Sequence, residues 1–151
     1  MHRLRVDTSL GPLTVEQTGE AISALHWREA SAGEATPLLH EAARQLIAYA
    51  NGDLTEFDLP LAPPGGTLQQ DVLAAMRAIP FGETRTYGEI AKAVGAPAQA
   101  VGQACGANTI PVIIPCHRVT GTGHLGGFSG MGGVETKVML LKHEGAYSLL
   151  I

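Results

Sequence analysis

The sequence has little of three things: long apolar runs, cysteine and positive charge. No apolar run in its 151 residues approaches the roughly 20 that a transmembrane helix needs. The first residues, MHRLRVDTSLGPLTV, lack the apolar core of a signal peptide. With only two cysteines, we expect free thiols in a reducing compartment rather than a disulfide framework. These absences predict a cytoplasmic protein with no membrane partner.

The formal net charge of −4 gives no support to a nucleic-acid partner, since phosphate contacts normally come from a basic surface. The charge is unevenly divided, however. Residues 1–65 carry four basic and nine acidic side chains, whereas residues 66–151 carry six basic and five acidic ones. A DNA partner is therefore not excluded for the second half of the chain.

The first half predicts a small antiparallel sheet followed by one helix. Polar and apolar residues alternate through LRVDTSLGPLTVEQTGEAISALHW, and Gly11-Pro12 and Gly19-Glu20 lie where turns are needed, which predicts three short strands. PLLHEAARQLIAYANGD then predicts a helix that ends at Gly52. Its expected apolar face consists of Leu38, Leu39, Ala42, Ala43, Leu46, Ile47 and Ala50.

The breakers APPGG at residues 62–66 predict a boundary between two domains, 1–65 and 66–151. Beyond this boundary, Thr67 is expected to cap a helix through LQQDVLAAMRAI, which ends at Pro80-Phe81-Gly82.

A helix-turn-helix pattern follows in TYGEIAKAVGAPAQAVGQACGAN. Helices are expected over residues 87–94 and 98–106, with a break at Gly95-Ala96-Pro97. The pattern alone is weak evidence for DNA binding, because most helical hairpins do not bind DNA. The second helix lacks lysine and arginine, and its small residues allow close approach to another backbone, whether of DNA or of a neighbouring helix. These small residues are Ala98, Ala100, Gly102 and Ala104.

IPCHR, at residues 114–118, places a cysteine directly before a histidine and an arginine. Prolines on both sides of the apolar run 112–114 predict a short buried strand that leads into Cys116. Most unpaired cysteines only fill the core. Here His117 and Arg118 can both favour the thiolate, so Cys116 is also a candidate nucleophile.

Glu144 lies near the end of the last predicted helix, VETKVMLLKHEG. A carboxylate that orients an imidazole, which activates a thiol, is the logic of a nucleophilic triad. Cys116, His117 and Glu144 are candidates for such a triad, but spacing alone leaves structural roles equally open. A metal site of Cys116, His117, His124 and His143 is a further alternative, although the spacing matches neither common zinc pattern.

Five separated motifs in the second half resemble the O6-alkylguanine-DNA alkyltransferases, also called methylated-DNA-protein-cysteine methyltransferases. They are FGETRTYGEIA at 81–91, Asn108 eight residues before the cysteine, IPCHRV at 114–119, GGFSG at 126–130 and LLKHEG at 140–145. The resemblance implies an α+β protein. It would have a small ribonuclease-H-like N-terminal domain, an antiparallel sheet plus a helix, and a mostly helical C-terminal domain that contains the helix-turn-helix.

The resemblance implies direct, single-use repair of O6-alkylguanine in DNA, and also of O4-alkylthymine. The thiolate of Cys116 would attack the alkyl carbon in line. His117, acting through a water and oriented by Glu144, would draw off the thiol proton. Tyr87 would give a proton to the leaving base and press on the 3′ phosphate, while Asn108 would tie the helix-turn-helix to the active-site strand.

A guanine pocket and a DNA surface are implied as well. The pocket would be lined by Pro111, Cys116, Val119, Phe128 and Ser129. The DNA surface would comprise Tyr87, Ala98, Gln99, Ala100, Gly102 and Arg118. The expected partner is double-stranded DNA, bound through its minor groove with the damaged nucleotide flipped out by a monomer, with cooperative binding left open. No metal or organic cofactor is implied.

Two features depart from the family pattern. Gln99 stands where the family usually has an arginine that fills the gap left by the flipped base, and the loop after Ser129 looks one or two residues longer than usual. Gln99 keeps open one rival function, a non-catalytic sensor of alkylated bases on the same scaffold, although Cys116 argues against it. A second rival is a cysteine hydrolase that uses Cys116 and His117 and turns over many times.

Overall fold

The computed structural model describes residues 2–28, 33–122 and 133–147, and the fold is α+β, as predicted. The chain divides into two compact units, Met1–Pro64 and Gly65–Ile151. Within the described ranges, every helix is too short or too polar to span a bilayer.

Three antiparallel strands in the order β1-β2-β3 form the sheet of the first unit. They are β1 (His2–Thr8), β2 (Gly11–Thr18) and β3 (Ala21–His26), which confirms the predicted strands. Gly19, with φ of 60°, adopts the left-handed conformation at the tight turn between β2 and β3.

Helix α1 (Pro37–Ala50) packs against this sheet. Its buried side chains are Leu39, Ala42, Gln45, Leu46, Tyr49 and Ala50. The predicted apolar face was wrong at Ile47, which is 40% exposed. Polar Gln45 is buried instead, because its side-chain amide exchanges hydrogen bonds with the backbone N–H and C=O of Asp58 at 2.9 and 3.0 Å.

The second unit begins with helix α2 (Thr67–Arg77). The prediction that Thr67 caps this helix was wrong, because Gly66 is the N-cap residue and no side chain caps the helix. Thr67 already has the helical conformation, so its hydroxyl is not placed to accept from the next turn.

Helices α3 (Tyr87–Val94) and α4 (Ala98–Gly106) form the predicted helix-turn-helix with the expected limits. Gly95 ends α3 in the left-handed conformation, with φ of 71°. A capping box begins α3: Glu89 N–H donates to Thr86 Oγ1 at 3.1 Å, and Thr86 N–H donates to Glu89 Oε1 at 3.0 Å. This cap holds Tyr87 at the first position of the helix.

The remaining elements of the second unit are short except for the last helix. Strand β4 (Arg85–Thr86) pairs in parallel with β5 (Val119–Thr120), which follows a 3₁₀ helix, Cys116–Arg118. The chain described ends with α5 (Val134–His143) and the residues up to 147. The β4–β5 pairing places the beginning of α3 beside the segment that follows Cys116.

The predicted strand before Cys116 was wrong, because residues 111–114 form a compact turn. Ile113 N–H donates to Pro111 C=O at 2.9 Å, which makes Val112 the centre of a γ-turn, with φ of 73°. Among the described residues, Val112 is the only non-glycine with positive φ, a conformation rare for a β-branched side chain. Two flanking prolines lack the N–H groups that a strand would use for pairing.

Candidate active site

Glu144 is the centre of a buried polar network. It is the C-cap residue of α5, and its side chain is fully buried. One oxygen, Oε2, lies 2.7 Å from Nε2 of His117, whose side chain is also fully buried. The structure therefore brings together two of the three proposed triad residues, although 27 positions separate them.

Arg118 completes this network from the other side of the carboxylate. Its Nε donates to Oε1 of Glu144 at 2.8 Å, its Nη2 donates to Oε2 at 3.1 Å, and its Nη1 donates to the Ile79 carbonyl at 2.7 Å. All three guanidinium nitrogens thus donate inward, and the side chain is 7% exposed. Arg118 does not fit the prediction that it contacts DNA. It neutralises Glu144, since a buried carboxylate requires a partner.

The environment of His117 favours the neutral imidazole. Burial lowers the pKa of His117, and the hydrogen bond with Glu144 only partly opposes this effect. Because Nε2 faces a carboxylate, the single proton of the neutral ring is placed on Nε2, which leaves Nδ1 as the acceptor. Within the part of the chain that the structure describes, Nδ1 is buried without a hydrogen-bond partner. This ring is therefore held so that Nδ1 can take up a proton.

Cys116 is buried at the beginning of the 3₁₀ helix. Burial raises the pKa of its thiol, while a hydrogen bond from the Asn108 side chain and the charge of Lys137 lower it. Backbone N–H groups of Cys116 and His117 also favour the thiolate. Because burial is the largest effect, the thiol needs a base to become a nucleophile.

Asn108 connects α4 with the turn that precedes Cys116. Its backbone N–H donates to the carbonyl of Cys105, in the last turn of α4, at 3.2 Å. Its side-chain Oδ1 accepts from Ile110 N–H, and its Nδ2 donates to the Ile114 carbonyl, both at 3.0 Å. One side chain thus holds both ends of the turn at the end of the helix.

The predicted pocket residues fall partly outside the described chain. Pro111 is half-buried in the turn and Val119 is buried in β5. Phe128 and Ser129 lie outside the described residues, as does His124 of the alternative metal site. Within the described ranges, no group of three or more His, Cys, Asp or Glu side chains is arranged to hold a metal ion.

Helix α4 presents most of its small residues outward. Ala98 and Gln99 are exposed, and Ala100 and Gly102 are half-buried. Ala104 is buried on the inner face of the helix, which fits the alternative that these small residues allow close packing inside the protein. A Cβ atom added at Gly102 would meet no atom of the described residues within 4 Å, so packing against this part of the chain does not require glycine there.

Two family models match consecutive parts of the chain. The first, described as 6-O-methylguanine DNA methyltransferase, ribonuclease-like domain, matches residues 1–63. The second, 6-O-methylguanine DNA methyltransferase, DNA binding domain, matches residues 67–146. The chain belongs to the 6-O-methylguanine DNA methyltransferase family. These matches confirm the family resemblance that the five sequence motifs indicated.

Relatives from this family match most of the chain. A methylated-DNA--protein-cysteine methyltransferase of Mycobacterium tuberculosis strain H37Rv is 44% identical, with 95% of this chain and 92% of the relative covered. One from Methanosarcina acetivorans is 51% identical, with 70% of this chain and 69% of the relative covered. A crystal structure of Mycobacterium tuberculosis OGT in complex with DNA has a TM-score of 0.83 at 43% identity, covering 97% and 94% of the two chains.

Lys137 is a site residue that the sequence analysis missed. It lies on α5, is fully buried, and donates from Nζ to the Val119 carbonyl at 2.6 Å. Its Nζ also lies 5.7 Å from the centre of the Tyr87 ring. A signal was present, because Lys137, Leu141 and Glu144 are spaced i, i+4, i+7 and therefore share one face of the helix. Lys137 lies outside all five family motifs.

Proposed function

We propose that this chain repairs DNA by transferring an alkyl group from O6-alkylguanine to Cys116 in one irreversible step. The observation that carries the proposal is the buried His117–Glu144 pair, 2.7 Å between Nε2 and Oε2, directly after a cysteine in a chain of this family. The relatives are named as methyltransferases that act from methylated DNA to a protein cysteine. Double-stranded DNA is the partner, and the protein acts in the cytoplasm.

Cys116 is a better acceptor than Cys105, the other thiol. Burial raises the pKa of both thiols, to about 12 for Cys105, so burial alone does not distinguish them; the S–H of Cys105 donates to Sδ of Met76 at 3.5 Å. Nothing on α4 supplies Cys105 with an adjacent imidazole, whereas His117 follows Cys116 directly. A thiolate therefore forms more readily at Cys116.

The first step is removal of the thiol proton. A single bridging water carries this proton from Sγ of Cys116 to Nδ1 of His117, the acceptor nitrogen of the neutral ring. Glu144 then stabilises the imidazolium through its hydrogen bond to Nε2, and Arg118 keeps the carboxylate ionised and in place. Arg118 is thus a fourth member of this arrangement, and it orients Glu144, the third member of the triad.

In the second step, the thiolate attacks the alkyl carbon of O6-alkylguanine in line. A bond forms between Sγ of Cys116 and that carbon as the carbon–O6 bond breaks, and its electron pair goes to the base. Tyr87, held at the first position of α3, donates a proton to the leaving base. The product is a thioether, which is chemically inert, so each molecule acts once. O4-alkylthymine is a second substrate that reacts by the same displacement.

Helix α4 is the element that enters the minor groove. Its outward residues are small or neutral, and none of the described residues crowds Gly102, so a nucleic-acid backbone can come close. The domain that contains α4 matches the family's DNA-binding domain. Gln99, which is exposed near the beginning of α4, occupies the gap left by the flipped nucleotide in this proposal. The protein acts on DNA as a monomer.

The deciding experiment is intact-mass analysis after incubation with one equivalent of duplex DNA that carries O6-methylguanine. We expect a single added methyl, roughly 14 Da, on the peptide that contains Cys116, and no activity afterwards. Cys116→Ala is expected to abolish the mass change, and the matched variant Cys105→Ala to retain it. Binding without a mass change would favour the sensor, and repeated turnover would favour the hydrolase.

A further inference from the structure

Pro111 is the one residue between positions 110 and 121 that the described fold leaves partly exposed. It is half-buried, whereas its neighbours on both sides and the acceptor Cys116 are buried. In the proposed transfer, Pro111 is also a wall of the base pocket. The fold therefore presents a rigid ring at the edge of the buried segment that contains the acceptor thiol.

Two γ-turns of opposite hand connect Pro111 with Cys116. The first is centred on Val112, where φ is 73° and the N–H of the next residue donates to the Pro111 carbonyl at 2.9 Å. The second is centred on Pro115, with φ of −81° and ψ of 67°, where Cys116 N–H donates to the Ile114 carbonyl at 2.8 Å. The chain between the ring and the thiol is therefore hydrogen-bonded at both of its bends.

The strain is concentrated in the first of these turns. A proline already prefers a φ near that of Pro115, whereas a β-branched residue at positive φ is strained and persists only where the surrounding structure determines it. The Val112 side chain is buried, at 2% exposure. Around it, Ile114 N–H donates to the Ile110 carbonyl at 2.9 Å, and the Asn108 side chain contacts both of these residues at 3.0 Å. These contacts hold the turn in one conformation.

We propose that Val112 is a positioning residue for alkyl transfer: its strained turn holds the Pro111 ring as a fixed wall of the base pocket, at a set distance from Sγ of Cys116. This inference rests on the proposed transfer to Cys116. Valine is the more rigid choice at this position, because a β-branched side chain permits a narrow range of backbone conformations at positive φ, whereas glycine permits a wide one. The turn is thus strained but rigid.

The proposed role concerns the base and not the thiol. In-line attack requires the alkyl carbon to lie between the leaving oxygen and Sγ of Cys116, and a misplacement of about 1 Å can cost roughly 100-fold in rate. Val112 acts through Pro111 rather than on the reacting atoms. Loosening the turn should therefore weaken the binding and alignment of the base and leave the reactivity of the thiol unchanged.

A comparison of glycine with alanine isolates the rigidity of the turn. Val112→Gly and Val112→Ala both remove the γ-methyl groups, but only glycine widens the range of backbone conformations. Ile113→Ala is the matched control, because it removes a buried side chain of the same turn and leaves Val112 in place. If Val112→Gly does not fold, Ile113→Gly is compared with Ile113→Ala instead, since it loosens the same turn one residue later. All variants carry Cys105→Ala, so that Cys116 is the sole thiol.

Single-turnover transfer from free O6-benzylguanine, measured over a range of concentrations, gives a limiting rate and a half-saturating concentration. Relative to Val112→Ala, we expect Val112→Gly to lower the ratio of these two constants by up to about 100-fold. Ile113→Ala should lower the melting temperature and keep both constants near those of the parent. Alkylation of Cys116 by iodoacetamide, which needs no base pocket, should proceed at the parental rate in all of these variants.

A double-mutant cycle tests whether Val112 acts through Pro111. Pro111→Ala removes the ring, so Val112→Gly should cause no further loss of transfer when the two changes are combined. The melting temperature is measured for every variant, because a merely structural role predicts that transfer falls only as far as the folded fraction does.

Three outcomes would overturn the proposal. They are equal transfer constants in Val112→Gly and Val112→Ala, slower iodoacetamide alkylation in Val112→Gly, and an undiminished effect of Val112→Gly in the Pro111→Ala protein. Failure of the proposed function looks different, because the parent protein itself would then take no alkyl group from O6-benzylguanine or from DNA. An inactive parent would overturn both proposals together.

Discussion

The carboxylate of Glu144 accepts two hydrogen bonds from the guanidinium of Arg118, at 2.8 and 3.1 Å, and both residues are buried. Fork-shaped pairing of this kind fixes the carboxylate in one orientation. The same carboxylate meets His117 at 2.7 Å. Arg118, which follows the candidate base directly in the chain, therefore determines how that base is oriented.

Removing Arg118 is expected to destabilise the protein strongly. Arg118→Leu leaves the Glu144 charge buried with its main partner gone, which typically costs roughly 3–5 kcal/mol of unfolding free energy. Urea denaturation measures this loss. Arg77→Leu, at the exposed end of α2, is the control and should stay within about 0.5 kcal/mol. Equal losses of unfolding free energy in the two variants would mean that the buried Arg118–Glu144 pair stabilises the protein no more than an exposed arginine does.

The charge of Glu144 is expected to matter for rate beyond its effect on stability. Glu144→Gln and His117→Ala each remove part of the base, so single-turnover transfer should slow by about 10²- to 10⁴-fold. Both should also shift the pH midpoint of Cys116 alkylation upward, because the thiolate loses support. If Glu144→Gln remains folded and transfers at the parental rate, His117 and Glu144 do not form the base.

Elements with local signals were predictable, and those made by distant contacts were not. Gly95 and the proline two positions later mark the limits of α3 and α4 in the sequence itself, since each restricts the backbone directly. The turn at Val112 was predicted to be a strand, because a short apolar run between prolines has no periodicity that distinguishes a turn from a strand. It is held by Asn108, whose side chain reaches Ile110 and Ile114.

The partners of buried polar side chains were the other feature that could not be predicted from the sequence. Arg118 was predicted to contact DNA, because its partner Glu144 lies 26 positions away and is not visible from the sequence. Lys137 was not identified as a site residue for the same reason, since the Val119 carbonyl is 18 positions away. Sequence spacing shows which residues share a helix face, but not which partner that face meets.

The strained backbone at Val112 predicts that glycine is no less stable than alanine at this position, the reverse of the usual order. Glycine normally destabilises a folded protein relative to alanine, by roughly 0.5–1 kcal/mol in regular elements, because it is more flexible when unfolded. At φ of 73°, however, an alanine keeps the steric conflict that glycine relieves. Val112→Gly should therefore be at least as stable as Val112→Ala in urea denaturation: both lose the two γ-methyl groups, and glycine loses only the Cβ atom in addition. A clearly more stable alanine variant would show that the turn is unstrained.

His117 is expected to make stability depend on pH in a defined direction. Burial lowers its pKa in the folded state below the ordinary value of 6.5, so the unfolded chain binds more protons between the two values. The stability that the buried neutral ring contributes is fully present above pH 6.5 and is lost as the pH falls through the lowered pKa of the folded state. His117→Gln should flatten this acid side of the melting-temperature profile, whereas His40→Gln, exposed on α1, should not. Identical profiles for the parent and His117→Gln would contradict the assignment.

Gln99 is expected to limit the rate on duplex DNA. Flipping a paired base costs a few kcal/mol of stacking and pairing, and a wedge side chain recovers part of that cost by occupying the gap. Arginine does so by stacking its planar guanidinium on neighbouring bases, and its charge is favoured in the minor groove. Glutamine retains only the hydrogen bonds. Gln99 is exposed near the beginning of α4, so a longer side chain meets no obstacle within the described fold.

Gln99→Arg should therefore raise the transfer rate on methylated duplex DNA and leave the rate with free O6-benzylguanine almost unchanged, because a free base needs no extrusion. Gln99→Ala should lower the duplex rate alone. Gln103→Arg, exposed one turn later on α4, controls for added positive charge, since a general gain in DNA affinity would raise the duplex rates of both arginine variants equally. Equal duplex rates for the parent, Gln99→Arg and Gln99→Ala would mean that another residue fills the gap.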